Sequence, residues 1–350
     1  MSIHSFFPTL KKDGSKLEIK RFFYLNWSKK YSPDFQAVWL SDRPKDVNFI
    51  EEVKWDKLRK SHTFYLCGHF SDISEKKFFL QHEVKYKNIH NLKSHLQKNI
   101  RREDDIRAIP TAFHLLKMDP VELLRRLPII MIEDVSLHES FTTLVWLMVS
   151  QSSTSFKMKK YMYEWLLGLV YVLCKIPHKD IIEYTEFSKE DKVIDLMDQY
   201  HSTLKEDQLS ILYSMHLRIA YGGMECDMEM FKQYAHTWYQ RFQTENKEEE
   251  IKINVDRKKI RNINIYSVKA LELDEWDLSA IDFHCSTKFI EFIQKRYPDM
   301  EEGEIKKMVW INSSSINHRV KHHVGYKTTE WNQMKNHVEK TQKYILDSSF

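Results

Sequence analysis

The sequence predicts a mainly α protein: a central helical bundle, preceded by a small α+β segment and followed by a mixed C-terminal region. Three observations lead there. Apolar residues recur at helical spacing from about residue 89 to about 242, β-leaning runs are confined to residues 17 to about 85, and only 7 Gly and 8 Pro occur in 350 residues. So few turn formers are poor material for a sandwich or barrel of many short strands. Hydrophobic residues make up 42% and aromatics 13%, enough to bury a sizeable core.

Residues 1–15 read as a flexible tail with an apolar tip, MSIHSFF, and a basic follow-on at Lys11 and Lys12. Termini fray unless something holds them, so Ile3, Phe6 and Phe7 need a partner. The unit 16–86 carries the runs LEIKRFFYLNW, FQAVWLS, HTFYLCGHF and KFFLQHEVKY, separated by Ser32-Pro33-Asp34 and Asp42-Arg43-Pro44. The unit 87–245 is helical throughout. Its first helix places Ile89, Leu92, Leu96 and Ile100 on one face, with Lys93, Lys98, Arg101 and Arg102 around it. A second helix carries Ile106, Ile109, Ala112, Phe113 and Leu116. Asp119-Pro120-Val121-Glu122 then has the composition of a helix start, with Asp119 capping and Pro120 at the first helical position, and Pro128 is expected to kink or restart that helix. Further helices are expected at 139–150, 156–176, 189–203, 206–220 and 226–242. The polar run QTENKEEEIK marks a boundary, and the unit 251–350 ends in a polar helix around 328–346.

Composition narrows the function classes. A formal charge of +4 leaves any nucleic-acid contact to local patches. Cys67, Cys174, Cys226 and Cys285 form no CxxC pair and the N-terminus does not read as a secretory signal, so a reducing intracellular compartment is expected. The longest apolar run, residues 161–176, contains Glu164 and is short for a bilayer, so a buried helix is expected and no membrane partner. No Walker A loop, GxGxxG, GxSxG or HExxH is present, so no enzyme of a common motif class is expected. The residue types of zinc sites gather in FHCS and NHRVKHH, where His284, Cys285, His318 and His322, with His323, are weak candidates; His318 and His322 have the i, i+4 spacing that aims two rings the same way on a helix. Core or turn positions for His284 and Cys285, and a polar, mildly basic surface for NHRVKHH, explain these residues more simply, so no cofactor is expected and zinc is the alternative.

Two resemblances carry function. Residues 91–140, NLKSHLQKNIRREDDIRAIPTAFHLLKMDPVELLRRLPIIMIEDVSLHES, resemble the C-terminal helical collar of clamp-loader-like AAA+ proteins, in particular the MgsA/RarA/WRNIP family of replication-associated ATPases. The matching features are the basic helix end Lys98, Arg101 and Arg102, the alanines Ala108 and Ala112, the Asp119-Pro120 turn, the Arg125-Arg126 pair and Glu133-Asp134-Val135. The ATPase module that precedes this domain in the family has no counterpart here. The resemblance implies an oligomerising, partner-binding scaffold of the replication machinery that does not hydrolyse ATP, with clamp-loader or polymerase subunits among its partners and the nucleus or a viral replication factory as its place. The second resemblance is Ile3-x-x-Phe6-Phe7, the hydrophobic core of the PIP box that docks proteins on the sliding clamp PCNA. The Gln that usually stands three positions before the aliphatic residue has no place here, and the same spacing recurs at Ile19, Phe22 and Phe23.

The expected function is thus a non-catalytic accessory factor of DNA replication or repair that binds PCNA through Ile3, Phe6 and Phe7. Lys98, Arg101, Arg102, Arg125, Arg126, Lys258, Lys259 and Arg261 are candidates for DNA or partner contacts. The alternatives are a metal-dependent nucleic-acid enzyme using the C-terminal His/Cys cluster, or a structural or assembly protein of a DNA virus.

Overall fold

The computed structural model describes residues 21–27, 36–55, 62–70, 86–182, 204–244, 260–283, 286–320 and 329–347. It is mainly helical, with a four-stranded sheet near the N-terminus. The strands are β1 (Arg21–Trp27), β2 (Ala37–Leu40), β3 (Phe49–Trp55) and β4 (His62–Phe70), in the order β2-β1-β4-β3. The central pair β1 and β4 is parallel, with Phe23 opposite Leu66, and the two outer pairs are antiparallel.

The helices are α1 (Ile89–Arg101), α2 (Asp105–Met118), α3 (Pro120–Asp134), α4 (Phe141–Ser153), α5 (Lys160–Lys175), α6 (Glu206–Ala220), α7 (Glu225–Thr244), α8 (Thr287–Arg296), α9 (Glu302–Val309) and α10 (Thr329–Asp347). Three 3-10 turns, Ile265–Ser267, Leu273–Glu275 and Leu278–Ala280, lead into α8, and a π-helical turn, Trp310–Ser314, follows α9. Local chemistry explains the starts. The side chains of Asn88, Asp104, Asp119 and Ser286 each accept an N–H of the first turn of α1, α2, α3 and α8, groups that have no partner within the helix. Between α1 and α2 the chain reverses through Glu103, at φ 62°, with the Asp104 N–H returning to Asn99 O. Helix α3 continues through Pro128, and Leu127 and Ile129–Ile132 around it are buried. The helix expected at 189–203 and the run KFFLQHEV lie outside the described residues. Strand β3 was not among the expected strands: its EEVK centre is too charged to alternate cleanly, as suits an edge strand.

One continuous hydrophobic core runs from Phe23 in β1 to Leu346 in α10, through all three units expected from the sequence. Trp146 of α4 is its largest fully buried side chain, and its indole N–H points at Phe23 O (3.0 Å) and Cys67 O (3.2 Å) in the two central strands. Phe70, Phe156 and Phe49 ring it at 5.3–6.0 Å. At the β2 edge, helix hydroxyls take backbone N–H groups: Ala37 donates to Thr143 Oγ1 of α4 (3.1 Å) and Trp39 to Ser210 Oγ of α6 (3.0 Å). That edge is closed by helices, one of the ways proteins prevent strand addition. Gly168 of α5 admits the backbone of the segment ahead of Ile265, since a Cβ there would stand 2.2 Å from Arg261 O. No helix among the described residues is long and apolar enough to cross a membrane.

Candidate functional site

The basic end of α1 is where the predicted site residues converge. Lys98, Arg101 and Arg102 lie within one turn or so of each other, and the helix C-terminus, with its negative partial charge, favours cations there. Each side chain, however, turns onto protein. Lys98 reaches Asp282 at 3.5 Å, with 8% of its side chain exposed. Arg101 donates to Asp134 (2.6 Å), to Glu133 (3.2 Å) and to Ser314 O. Arg102 donates to Asp277, to the Ser279 hydroxyl and carbonyl and to Ser313 O. The π-helical turn aims the Ser313 and Ser314 carbonyls at these two guanidiniums.

Arg125 and Arg126 on α3 are engaged in the same way. Arg125 donates to the Tyr221 and Gly222 carbonyls where α6 ends, at 3.3 and 3.1 Å. Arg126 bonds the Gln97 amide oxygen and stands 3.7 Å from Asp227. Gln97 in turn donates to Glu133 (2.8 Å) and Asp134 (2.7 Å), so α1, α3 and the start of α7 share one polar network. The five cations hold carboxylates and carbonyls of their own chain, and a phosphate would have to displace those partners. Arg–carboxylate forks of this kind fix helices in register.

Electrostatics follow from burial. Desolvation works against charge on Arg101, but Asp134 and Glu133 outweigh it and its pKa rises. The pKa of Lys98 is lowered by burial, which Asp282 only partly offsets. Glu133 is pushed up by burial and then by the adjacent Asp134, against the pull of Arg101.

Sequence reasoning missed the cation that matters most for this junction. Arg319 sits inside NHRVKHH, a stretch read for its histidines. Its side chain is 0% exposed and its guanidinium donates to five carbonyls: Ile100 and Arg101 at the end of α1, and Leu173, Cys174 and Ile176 at the end of α5. No spacing rule marks it, because the acceptors come from two other helices. The neighbouring His318 is exposed, and its backbone N–H also bonds Arg101 O at 3.3 Å.

Among the described residues no three His, Cys, Asp or Glu groups gather as a metal ion needs. His284, Cys285, His322 and His323 lie outside those residues, as do Ile3, Phe6, Phe7, Lys258 and Lys259. Arg261 is described and exposed, on the segment that crosses α5 at Gly168.

One buried histidine beside the junction has a measurable consequence. His95 Nδ1 lies 2.8 Å from Thr111 Oγ1, whose own proton goes to Arg107 O, so the imidazole must carry its hydrogen on Nδ1 and donate it. The ring stacks on Trp276 with centroids 4.5 Å apart. Burial depresses its pKa to about 3, and burial does the same to His216 in α6. Both are neutral when folded, whereas in the unfolded chain they titrate near 6.5. The unfolded state therefore binds more protons below about pH 6.5, and stability is lost as pH falls from there towards 3. Each histidine should cost about 1.4 kcal/mol per pH unit across that window. Urea unfolding at pH 7.5 and 5.0 should show a loss of about 4 kcal/mol from the pair. Retention of the pH dependence in a His95→Gln, His216→Gln variant that folds at pH 7.5 would refute the assignment.

No family model, no curated protein and no solved structure matches this chain.

Proposed function

We propose that the protein is a non-catalytic accessory factor of DNA replication or repair, tethered to a sliding clamp by its N-terminal tip and offering a helical scaffold to partners or DNA. The observation that carries this reading is the run Ile3-x-x-Phe6-Phe7 with Lys11 and Lys12 behind it. Two aromatic anchors and an aliphatic one on a short peptide suit an apolar pocket, and the lysines suit an acidic rim. Support comes from how the body begins. The first described strand, β1, is hydrogen-bonded on both sides, and its Phe23 and Leu25 are fully buried, so a load on the tail is transmitted to the centre of the sheet. The resemblance of residues 91–140 to a clamp-loader collar agrees with this setting. With Lys98, Arg101, Arg102, Arg125 and Arg126 engaged inside the molecule, Lys258, Lys259 and Arg261 remain as the DNA candidates of the original set.

Calorimetric titration of PCNA with the full chain and with a Phe6→Ala/Phe7→Ala variant tests the reading. Loss of two buried aromatic anchors should weaken binding at least tenfold while leaving the melting temperature unchanged. Equal affinity of the two proteins, or absence of binding by both, would remove the tether from consideration.

A further inference from the structure

The segment Ile260–Ser267 is built onto α5 so as to present an aromatic ring beside Lys160. Gly168 admits the Arg261 carbonyl, and the Ile263 N–H donates to Glu164 O at 3.0 Å, so the segment follows the helix towards its N-terminal end. There the 3-10 turn Ile265–Ser267 presses Ile265 into the core, at 1% exposure, and holds Tyr266 outward at 68%. The turn is stiffened locally: Asn264 Oδ1 accepts the Tyr266 N–H at 3.0 Å and the Ser267 hydroxyl donates to Asn264 O at 2.6 Å. Lys160 Nζ lies 4.9 Å from the Tyr266 ring centre. Lys157 and Lys159, both exposed, precede it in the chain, and Arg261 is exposed on the adjoining segment.

The acids near this group are Glu164, which pairs with Lys160 at 2.9 Å, and Glu51 of β3, which accepts from the Ser155 N–H and hydroxyl two residues before Lys157. Among the described residues Lys157, Lys159 and Arg261 pair with no carboxylate, and the first turn of α5 contains no acid. The surface thus has two cations in excess of its acids, with Lys160 against an outward-facing ring. A chain of phosphates satisfies the cations, and only a partner with flat bases also uses the ring. An acidic peptide would satisfy the charge and leave the ring without a role.

We propose that Lys157, Lys159, Lys160, Arg261 and Tyr266 form a binding surface for single-stranded nucleic acid, with phosphates on the cations and a base stacked on Tyr266. This deepens the replication reading above, but it stands on its own residues: a strand can bind here whether or not the tail binds a clamp.

The test is fluorescence anisotropy of a labelled 20-nucleotide oligo-dT with the full chain. Binding should weaken as salt rises. In Lys157→Gln/Lys159→Gln the slope of log affinity against log salt should fall by about 1.4, since each phosphate contact on a single strand contributes about 0.7. Tyr266→Ala should weaken binding roughly 5- to 150-fold, the worth of one stacked base, and Tyr266→Phe should restore it. All substituted groups are exposed, so the variants should melt with the parent. Phe6→Ala/Phe7→Ala should bind the strand as the parent does, which separates failure of this surface from failure of the clamp tether. The proposal is overturned by absence of strand binding at low salt, by affinities indifferent to both sets of substitutions, by a preference for duplex insensitive to Tyr266, or by poly-glutamate competing as well as the strand.

Discussion

Arg319→Ala should destabilise the protein by about 4 kcal/mol or more and free the C-terminal region from the helical bundle. The side chain is fully buried and serves five carbonyls that end α1 and α5. Helix ends leave their last carbonyls without partners, and burying them unsatisfied costs on the order of 1–3 kcal/mol each, though such costs are not additive. Arg319→Met should be nearly as damaging, because it fills volume and supplies no donor. Arg319→Lys should recover only part of the loss, since a single ammonium cannot reproduce a planar fork that spans two helices. Urea unfolding measures the energetic part, and limited proteolysis followed by mass analysis locates the release downstream of α7. An alanine variant within about 1 kcal/mol of the parent would show that water serves those carbonyls equally well.

The second large effect is expected at Trp146. Truncation to alanine removes the largest fully buried side chain and leaves a cavity between the sheet and α4, for an expected cost of about 3–5 kcal/mol. Trp146→Phe keeps a ring among Phe49, Phe70 and Phe156 but loses the N–H aimed at Phe23 O and Cys67 O. Its cost should be nearer 2 kcal/mol, combining a smaller cavity with a lost hydrogen bond. The midpoint of urea unfolding should rank the proteins parent, phenylalanine, alanine. Equal midpoints for the two variants would show that ring packing contributes little and the indole donor carries the site.

Much of the architecture was legible because it rests on local pattern. Helices α4 to α7 fall within a few residues of the expected spans, since apolar periodicity and capping residues act over one or two turns. Strand β3 escaped because charged Glu51 and Glu52 stand side by side on opposite faces of an edge strand, which breaks the alternation that marks a strand. The continuity of the core escaped for a different reason. Charge runs such as QTENKEEEIK read as boundaries, but whether the segments on either side share a core depends on surfaces hundreds of residues apart. The same limit governs the candidate site. A basic helix end is visible in the sequence, but its occupation by Asp134, Asp277, Asp282 and the serine carbonyls is tertiary information. Arg319 was passed over because its acceptors lie at the ends of helices α1 and α5, to which nothing in its own neighbourhood points.

The hydroxyl closure of β2 also has a consequence for how the chain acquires its structure. The partners in the Ala37–Thr143 and Trp39–Ser210 bonds lie 106 and 171 residues apart, and the Trp146–Phe23 bond spans 123. On a ribosome the strands emerge first, yet the groups that complete their outer edge and cover their inner face are made much later. Long-range closures of this kind slow folding, and unpaired strands are the surfaces that misassemble while they wait. The N-terminal sheet is therefore synthesised well before the groups that complete it, and the interval ends only when α6 arrives.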